Sequence, residues 1–404
     1  MSRMPWFRSS LVALTSLGLV ILPSSPALAL TETPDPGTSR TTGKILALAQ
    51  HGNTIYMGGH FLSVFQQGQH DVSNIAAFDR LTGRWIPTWT ASVTNTQSSS
   101  AATVEELAVS EDGQWLYIGG KFDTVNGQEA NNLAAVDTAT GSVVDPNFLP
   151  RVSAIVRTIL VGAGRVYIGG NFGRVNGQTR NRLAALLPDG TLDPNWTPSA
   201  SHSSSTHSSA VHSLEWASDG QTIFVGGAFD RMNGLTRTSV ARVDPSTGIL
   251  DPWAIPPNQV GTNVAWDLLA TPTVLYGGFG DGPNWAGAYR LDAGPLGTQI
   301  WRNNYVGNIQ SLVLSPSGTR LFVAGHNGTA RLQQTVCGRN IRGLLLLDPA
   351  TGATDCSWIP QIEPFGNNFI GAWILLRSDE QLWVGGKITH ISGVKQGAFA
   401  RYTL

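Results

Sequence analysis

The sequence predicts an all-β fold, a seven-bladed β-propeller of four-stranded antiparallel blades whose ring is closed by the mature N-terminal segment. Three observations predict it. An aromatic residue shortly before a glycine pair recurs as Tyr56-Met-Gly-Gly, Tyr117-Ile-Gly-Gly, Tyr167-Ile-Gly-Gly, Phe224-Val-Gly-Gly, Tyr276-Gly-Gly, Phe322-Val-Ala-Gly and Trp383-Val-Gly-Gly. Spread over residues 30–404, these copies are about 54 residues each, a spacing that points to repeat architectures. Each copy divides into short apolar runs separated by turn signals, and no segment carries a helical period.

In chain order, residues 1–29 read as a signal peptide. Arg3 and Arg8 give a positive start, Leu11 to Leu22 an apolar stretch, and Ala27-Leu28-Ala29 a small-residue cleavage site. Residues 30–404 are then one exported domain, expected to be secreted, periplasmic or cell-surface. No later apolar run approaches the ~18–20 residues of a spanning helix.

Within a copy the first strand is apolar, as in "VRTILV" (156–161), and a tight turn such as Ala163-Gly164 leads to the second, "VYIGGNF". The third is "NRLAAL" (181–186). A turn such as Asp137-Thr-Ala-Thr-Gly141 precedes the fourth, which carries Asp145-Pro-Asn-Phe148, Asp193-Pro-Asn-Trp196 or Asp251-Pro-Trp253. The last copy ends after its third strand, "GAFARYTL", so residues 31–41 are expected to supply its fourth strand. The glycine pair is expected near the axis, where a side chain would clash with the next blade. Trp89, Phe148, Trp196, Trp253, Trp301 and Trp358 are expected to pack between neighbouring sheets, and the Val-Asn-Gly segments to be turns.

These repeats resemble the delta-60-type bacterial β-propeller repeats, which read Tyr-Ile-Gly-Gly-x-Phe, Val-Asn-Gly, then Leu-Ala-Ala-hydrophobic-Asp. They are also similar to the propeller part of fungal cortical polarity markers. Copies two to four match best, and Val-Asn-Gly is absent from copies five and six. The resemblance implies an exported or surface propeller and brings no catalytic residues. A weaker likeness of "DTATGSVVD" and "DPATGATDCSW" to quinoprotein blades is read as hairpin turns, and no cofactor is predicted.

Charged residues make up 13% of the chain and the net charge is −1, with no basic block. That balance argues against nucleic acid or an anionic membrane as partner. Cys337 and Cys356, 19 apart in an exported chain, are expected to form a disulfide, the alternative being two free thiols. His202, His207 and His212 recur every five residues within a Ser-rich stretch. That spacing suits neither a helix face nor a strand face, so a linker is preferred and no metal site is predicted. Gly-x-Ser-x-Gly, His-Glu-x-x-His, phosphate-loop and calcium-loop motifs are absent from the sequence.

In an up-and-down blade, the connections from strand two to three and from strand four to the next blade share one side. These are the long polar ones, Thr94 to Thr103, Ser199 to Ala210, Asn258 to Asn263, Asn327 to Arg339 and Glu363 to Asn368, and function concentrates on such loops. Aligning the innermost strands as "GKILAL" (43–48), "VEELAV", "VRTILV", "VHSLEW", "AWDLLA", "IQSLVL" and "AWILLR" gives a second column of Lys44, Glu105, Arg157, His212, Trp266, Gln310 and Trp373. The third column adds Glu106, Thr158, Ser213 and Asp267. The second column is expected to ring the mouth of a central channel. Such a ring suits a carbohydrate, peptide or protein ligand of a monomeric, non-enzymatic scaffold; it equally suits a polar lining satisfied within itself. The alternative is a glycan-active hydrolase or lyase using Glu105, Glu106, His212, Asp267 and Arg157, since acid–base work needs paired groups at suitable separation.

Overall fold

The computed structural model describes residues 30–97, 99–204, 208–261, 263–292, 294–305, 307–327, 334–341, 343–363 and 370–404. The expected signal peptide, residues 1–29, and His207 lie outside them. The described residues are all-β, with one helical turn among them at Pro257–Val260. Among the described residues, no helix is long and apolar enough to cross a membrane.

One antiparallel pattern recurs. Strand Lys44–His51 pairs with Thr54–His60, which pairs with Ile75–Asp79. Thr103–Val109, Trp115–Lys121 and Leu133–Asp137 repeat it, as do Val156–Gly162, Arg165–Gly170 and Leu183–Leu186. Ala210–Trp216, Ile223–Ala228 and Val240–Val243 follow, then Val264–Ala270, Val274–Gly280 and Asn284–Arg290 with a fourth strand, Gln299–Tyr305. Asn308–Leu314, Leu321–Asn327 and Leu344–Leu347 come next, and Ile370–Ser378, Gln381–Lys387 and Phe399–Thr403 complete the series. Cores form between successive sheets. The first and last share one: Ile45, Leu48 and Met57 pack with Trp383 and Phe399.

The fourth strand expected in every copy runs as a full strand at Gln299–Tyr305. In five other copies it shrinks to a single bridge: Phe78 with Trp85, Val136 with Val144, Leu186 with Leu192, Val243 with Leu250 and Leu347 with Thr354. The aspartate after the bridge explains four of these. Asp145, Asp193, Asp251 and Asp355 accept hydrogen bonds from the backbone N–H two residues on, at 2.8–2.9 Å, which turns the chain off the sheet. In three of them the next residue is a proline, which cannot donate to a ladder. Gln299–Tyr305 contains neither Asp nor Pro and pairs along its length apart from one register shift at Ile300.

Residues 31–41 likewise form no continuous strand. Between Pro34 and Pro36 only Asp35 can donate, and its N–H bonds the Arg401 carbonyl at 2.7 Å. Asp35 also pairs with the Arg401 guanidinium at 3.1 Å, and the Trp358 indole donates to the Thr31 carbonyl. Beyond Gly37 the segment crosses to the first unit, where Arg40–Thr41 pairs with the hairpin strand Ser63–Phe65.

The glycine pair has a sharper reason than crowding between sheets. Every inner strand carries a register shift near its start, for example between Val104 and Glu106 and between Val156 and Thr158. Such a β-bulge places two residues opposite one and pushes the backbone toward its partner. A Cβ on Gly120 would collide with the carbonyl oxygen of Thr103, just before the bulge in its own sheet. A Cβ on Gly119 would instead press on Val156 and Ile159 of the next inner strand. The first glycine therefore admits the neighbouring sheet, and the second admits the bulge.

The Trp residues expected between sheets are there. The Trp89, Trp196 and Trp301 indoles donate to carbonyls of Thr138, Asp244 and Pro349 in turns of the following unit, at 3.1, 3.1 and 2.9 Å. Buried Tyr and Trp usually find such partners.

The Val-Asn-Gly segments are more than turns. Thr124–Val125 and Gln128–Glu129 form a hairpin around Asn126 and Gly127, both at positive φ, and it adds to Val93–Thr94. The Asn126 side chain accepts from Ser92 N–H and donates to the Gly141 carbonyl. Asn176 and Asn233 bind the corresponding segments in the same way. The connection from strand two to three therefore pairs with the one entering the same unit, so the two kinds of long connection lie together. Cys337 and Cys356 are bonded, with Cα atoms 5.8 Å apart, tying the hairpin Gln334–Val336/Arg339–Ile341 to the segment after Thr354.

Candidate functional site

The residue displaced by each inner-strand bulge is Leu46, Glu105, Arg157, His212, Trp266, Gln310 or Trp373. All of them line one narrow cavity of about 110 Å³, together with Glu106, Asp267 and Ile374. Six are the residues expected to form the ring. In the first strand the bulge falls at Leu46, so Lys44 stands two residues earlier. Lys44 lies above the ring, its Nζ 5.3 Å from the Trp373 ring centroid, and burial lowers its pKa. The aligned column should have run Ile45-Leu46-Ala47-Leu48, matching Val104-Glu105-Glu106-Leu107.

Two of the ring's charged groups are paired, while Trp266 Nε1 and Gln310 Nε2 find no hydrogen-bond partner among the described residues. Glu105 meets Arg157 at 3.6 Å and accepts from Thr103 Oγ1 at 3.0 Å, while Arg157 Nε donates to the Asn171 side chain. The His212 and Trp266 rings pack at 4.2 Å, and His326 stacks on Trp373 at 4.7 Å.

Most third-column residues reach sideways. A bulge leaves a backbone N–H off the ladder, and the preceding inner strand supplies its acceptor. Thr158 Oγ1 accepts from Leu214 N–H (3.2 Å), Ser213 Oγ from Leu268 N–H (3.2 Å), Asp267 Oδ2 from Leu312 N–H (2.8 Å) and Ser311 Oγ from Leu375 N–H (3.1 Å). These hydrogen bonds stitch consecutive inner strands together. Asp267 Oδ1 also accepts from Leu268 N–H.

Burial dominates the electrostatics. It pushes Glu106 up to about 8; the charges of Asp267 and Glu105 add to the rise and the Leu107 N–H opposes it. Burial likewise raises Asp267 to about 7 against its hydrogen bonds, and Glu215 to about 8. His212 falls to about 3, from burial first and the Arg157 charge second, so its imidazole is neutral. Protein surrounds these groups, yet Glu106, Asp267 and His212 keep some accessible surface because they border the channel.

Arg157 and His212 also form the floor of a wider bowl of about 790 Å³. Its walls come from the entries to two inner strands and from the hairpin after Ala228, and include His202, Asp230, Arg231, Thr236, Asn263 and Asp281. Asp230 accepts from Ser203 N–H at 2.7 Å with His202 Nδ1 3.7 Å away, so part of the Ser- and His-rich stretch is folded against the bowl. Asp281 and Asn308 exchange two hydrogen bonds, at 2.7 and 3.0 Å. Asn263 is 4% exposed; its Nδ2 donates to the Val260 carbonyl, while its Oδ1 has no donor among the described residues. An orphaned buried acceptor costs free energy unless something fills it. The sequence does not mark Asn263, Asp230 and Asp281 as partners, because their positions depend on loop geometry. Among the described residues, no group of three or more His, Cys, Asp or Glu side chains could hold a metal ion.

Residues 164–195 match the family model described as a domain of unknown function (DUF5122) beta-propeller. None of the curated proteins matches the chain. Among solved structures, the WD40 beta propeller domain of Doa1 is similar at a TM-score of 0.56 and 10% identity, covering 91% of this chain and 95% of that one. The Myceliophteria thermophila Cps50 (Swd1) beta-propeller domain is similar at 0.51 and 9% identity, covering 90% and 98%. Identities this low carry the fold alone, and the fold they carry is the β-propeller.

Proposed function

We propose that the chain is an exported, non-enzymatic β-propeller scaffold that binds a neutral glycan in the bowl above its channel. We read residues 30–404 as one monomeric seven-bladed domain of the delta-60-type repeat family, its ring closed by the N-terminal segment. The packing of Ile45 and Leu48 against Trp383 and Phe399, and the bonds of Asp35 and Thr41 to the last sheet, support that closure.

The observation that carries the binding reading is the contrast between the two cavities. The channel holds about 110 Å³, room for a few waters at ~30 Å³ each. Ligand pockets run to ~300–1,000 Å³, and the bowl, at about 790 Å³, falls within that range. The bowl mixes carboxylates, guanidinium and hydroxyls, a set suited to hydroxyl groups that both donate and accept. The acids assigned to a hydrolase are engaged otherwise: Glu105 pairs with Arg157, and Asp267 holds the Leu268 and Leu312 amides.

Thermal unfolding of the purified protein against neutral oligosaccharides, short peptides and divalent ions tests this. A ligand at 100 times its dissociation constant adds about 2.7 kcal/mol. The expected result is a shift with a neutral oligosaccharide that an Arg231→Ala/Asp281→Asn variant loses. Shifts with peptides alone would replace the ligand class. A flat panel would overturn the bowl as a site.

A further inference from the structure

Four seams between sheets carry a side-chain bond that the seam at the last unit lacks. In four units, the residue just before the third strand adopts the left-handed conformation and sends a polar side chain to the neighbouring lead-in. Asn74 (φ 66°) donates to the Val93 carbonyl at 2.8 Å, and Asn132 (φ 65°) to the Val152 carbonyl at 2.8 Å. Arg182 (φ 71°) donates to Ser209 Oγ at 3.0 Å, and Ser239 (φ 63°) donates to the Asn263 carbonyl.

The equivalent residue in the last unit is Ala398, at φ 62°, which has no side chain to send across. Alanine is costly in this conformation, where Asn is better tolerated. The seam it leaves open is a pocket of about 600 Å³ between residues 40–43 of the N-terminal segment and residues 387–398.

The pocket's chemistry is one-sided. Arg40, Lys387 and Lys395 line it, and among the described residues no carboxylate does, in a chain with slightly more acids than bases. Phe65, Ile388 and Ala398 supply apolar wall, and the Arg40 guanidinium lies 5.6 Å from the Phe65 ring centroid. Cations beside an apolar wall recognise an anionic group carried on an apolar body.

We propose that the seam between Arg40–Gly43 and Lys387–Ala398 is a binding site for an amphipathic organic anion, a carboxylate or sulfonate borne on an aromatic or acyl body. This site is separate from the bowl and stands or falls independently of the glycan reading.

The probe is 8-anilinonaphthalene-1-sulfonate, whose fluorescence rises when it enters an apolar site. Titration of the full protein is expected to saturate. Ala398→Asn restores the side chain found at Asn74 and Asn132 and suits the backbone. It should weaken the probe at least tenfold with melting temperature unchanged or higher. Lys395→Glu, at an exposed position, should weaken it similarly without loss of fold. Displacement by benzoate more than octanoate would identify an aromatic body, the reverse order an acyl chain, and either supports the site. Equal displacement by neutral benzyl alcohol, or probe binding unchanged in both variants, would overturn it.

Discussion

Replacing Glu106 by glutamine tests the electrostatics of the channel. In the folded protein, burial lifts this carboxyl from an ordinary 4.5 to about 8. The native state therefore holds the proton more tightly than the unfolded chain does. The resulting stability is complete below pH 4.5 and is lost as pH rises through about 8. Each pH unit in that window is worth about 1.4 kcal/mol, so the loss at pH 9 reaches a few kcal/mol. The glutamine side chain has the same shape, keeps an acceptor for the Leu107 N–H and has no charge to desolvate. Melting curves at pH 5, 7 and 9 should show the Glu106→Gln variant close to wild type at pH 5 and ahead by several degrees at pH 9. Glu215 is raised in the same direction and remains in both proteins, so the difference between the two curves reports Glu106 together with its coupling to Asp267. A difference independent of pH, or a variant less stable at pH 9, would refute the reasoning.

Two further outcomes follow from the bulges. Thr158→Val keeps shape but removes the acceptor of the Leu214 N–H; the cost should be about 1–3 kcal/mol, with faster hydrogen exchange at Leu214 than at Leu268. Gly120→Ala should destabilise more than Gly119→Ala, because the first meets the Thr103 carbonyl and the second only side chains that can yield. Overpacking of the second kind costs about 1–3 kcal/mol, and chemical denaturation of both variants compares them.

The repeating sheets were legible because the glycine pair and aromatics mark each copy and each copy buries the same positions. The fourth strand was over-read: an apolar run predicts pairing, while the Asp-Pro inside it ends the ladder. The bulges are legible as well. Val-Glu-Glu-Leu, Val-Arg-Thr-Ile and Val-His-Ser-Leu place two residues between apolar positions where a regular strand has one. That signature would have aligned the first strand on Ile45-Leu46-Ala47-Leu48 and taken Lys44 out of the ring. The sideways bonds of Thr158, Ser213, Asp267 and Ser311 follow from the same signature once the freed amides are counted. The bowl was not legible, since Asp230 comes from one unit and Asn263 and Asp281 from two loops of the next, and only the closure of loops gathers them.

Binding without turnover is the central claim, and mass spectrometry of a bound oligosaccharide recovered after prolonged incubation tests it most directly. The wild-type protein should return the ligand intact, and the Arg231→Ala/Asp281→Asn variant should fail to retain it. New saccharide products from wild type, lost on Glu106→Gln or Asp267→Asn, would contradict the account and move the chemistry into the channel.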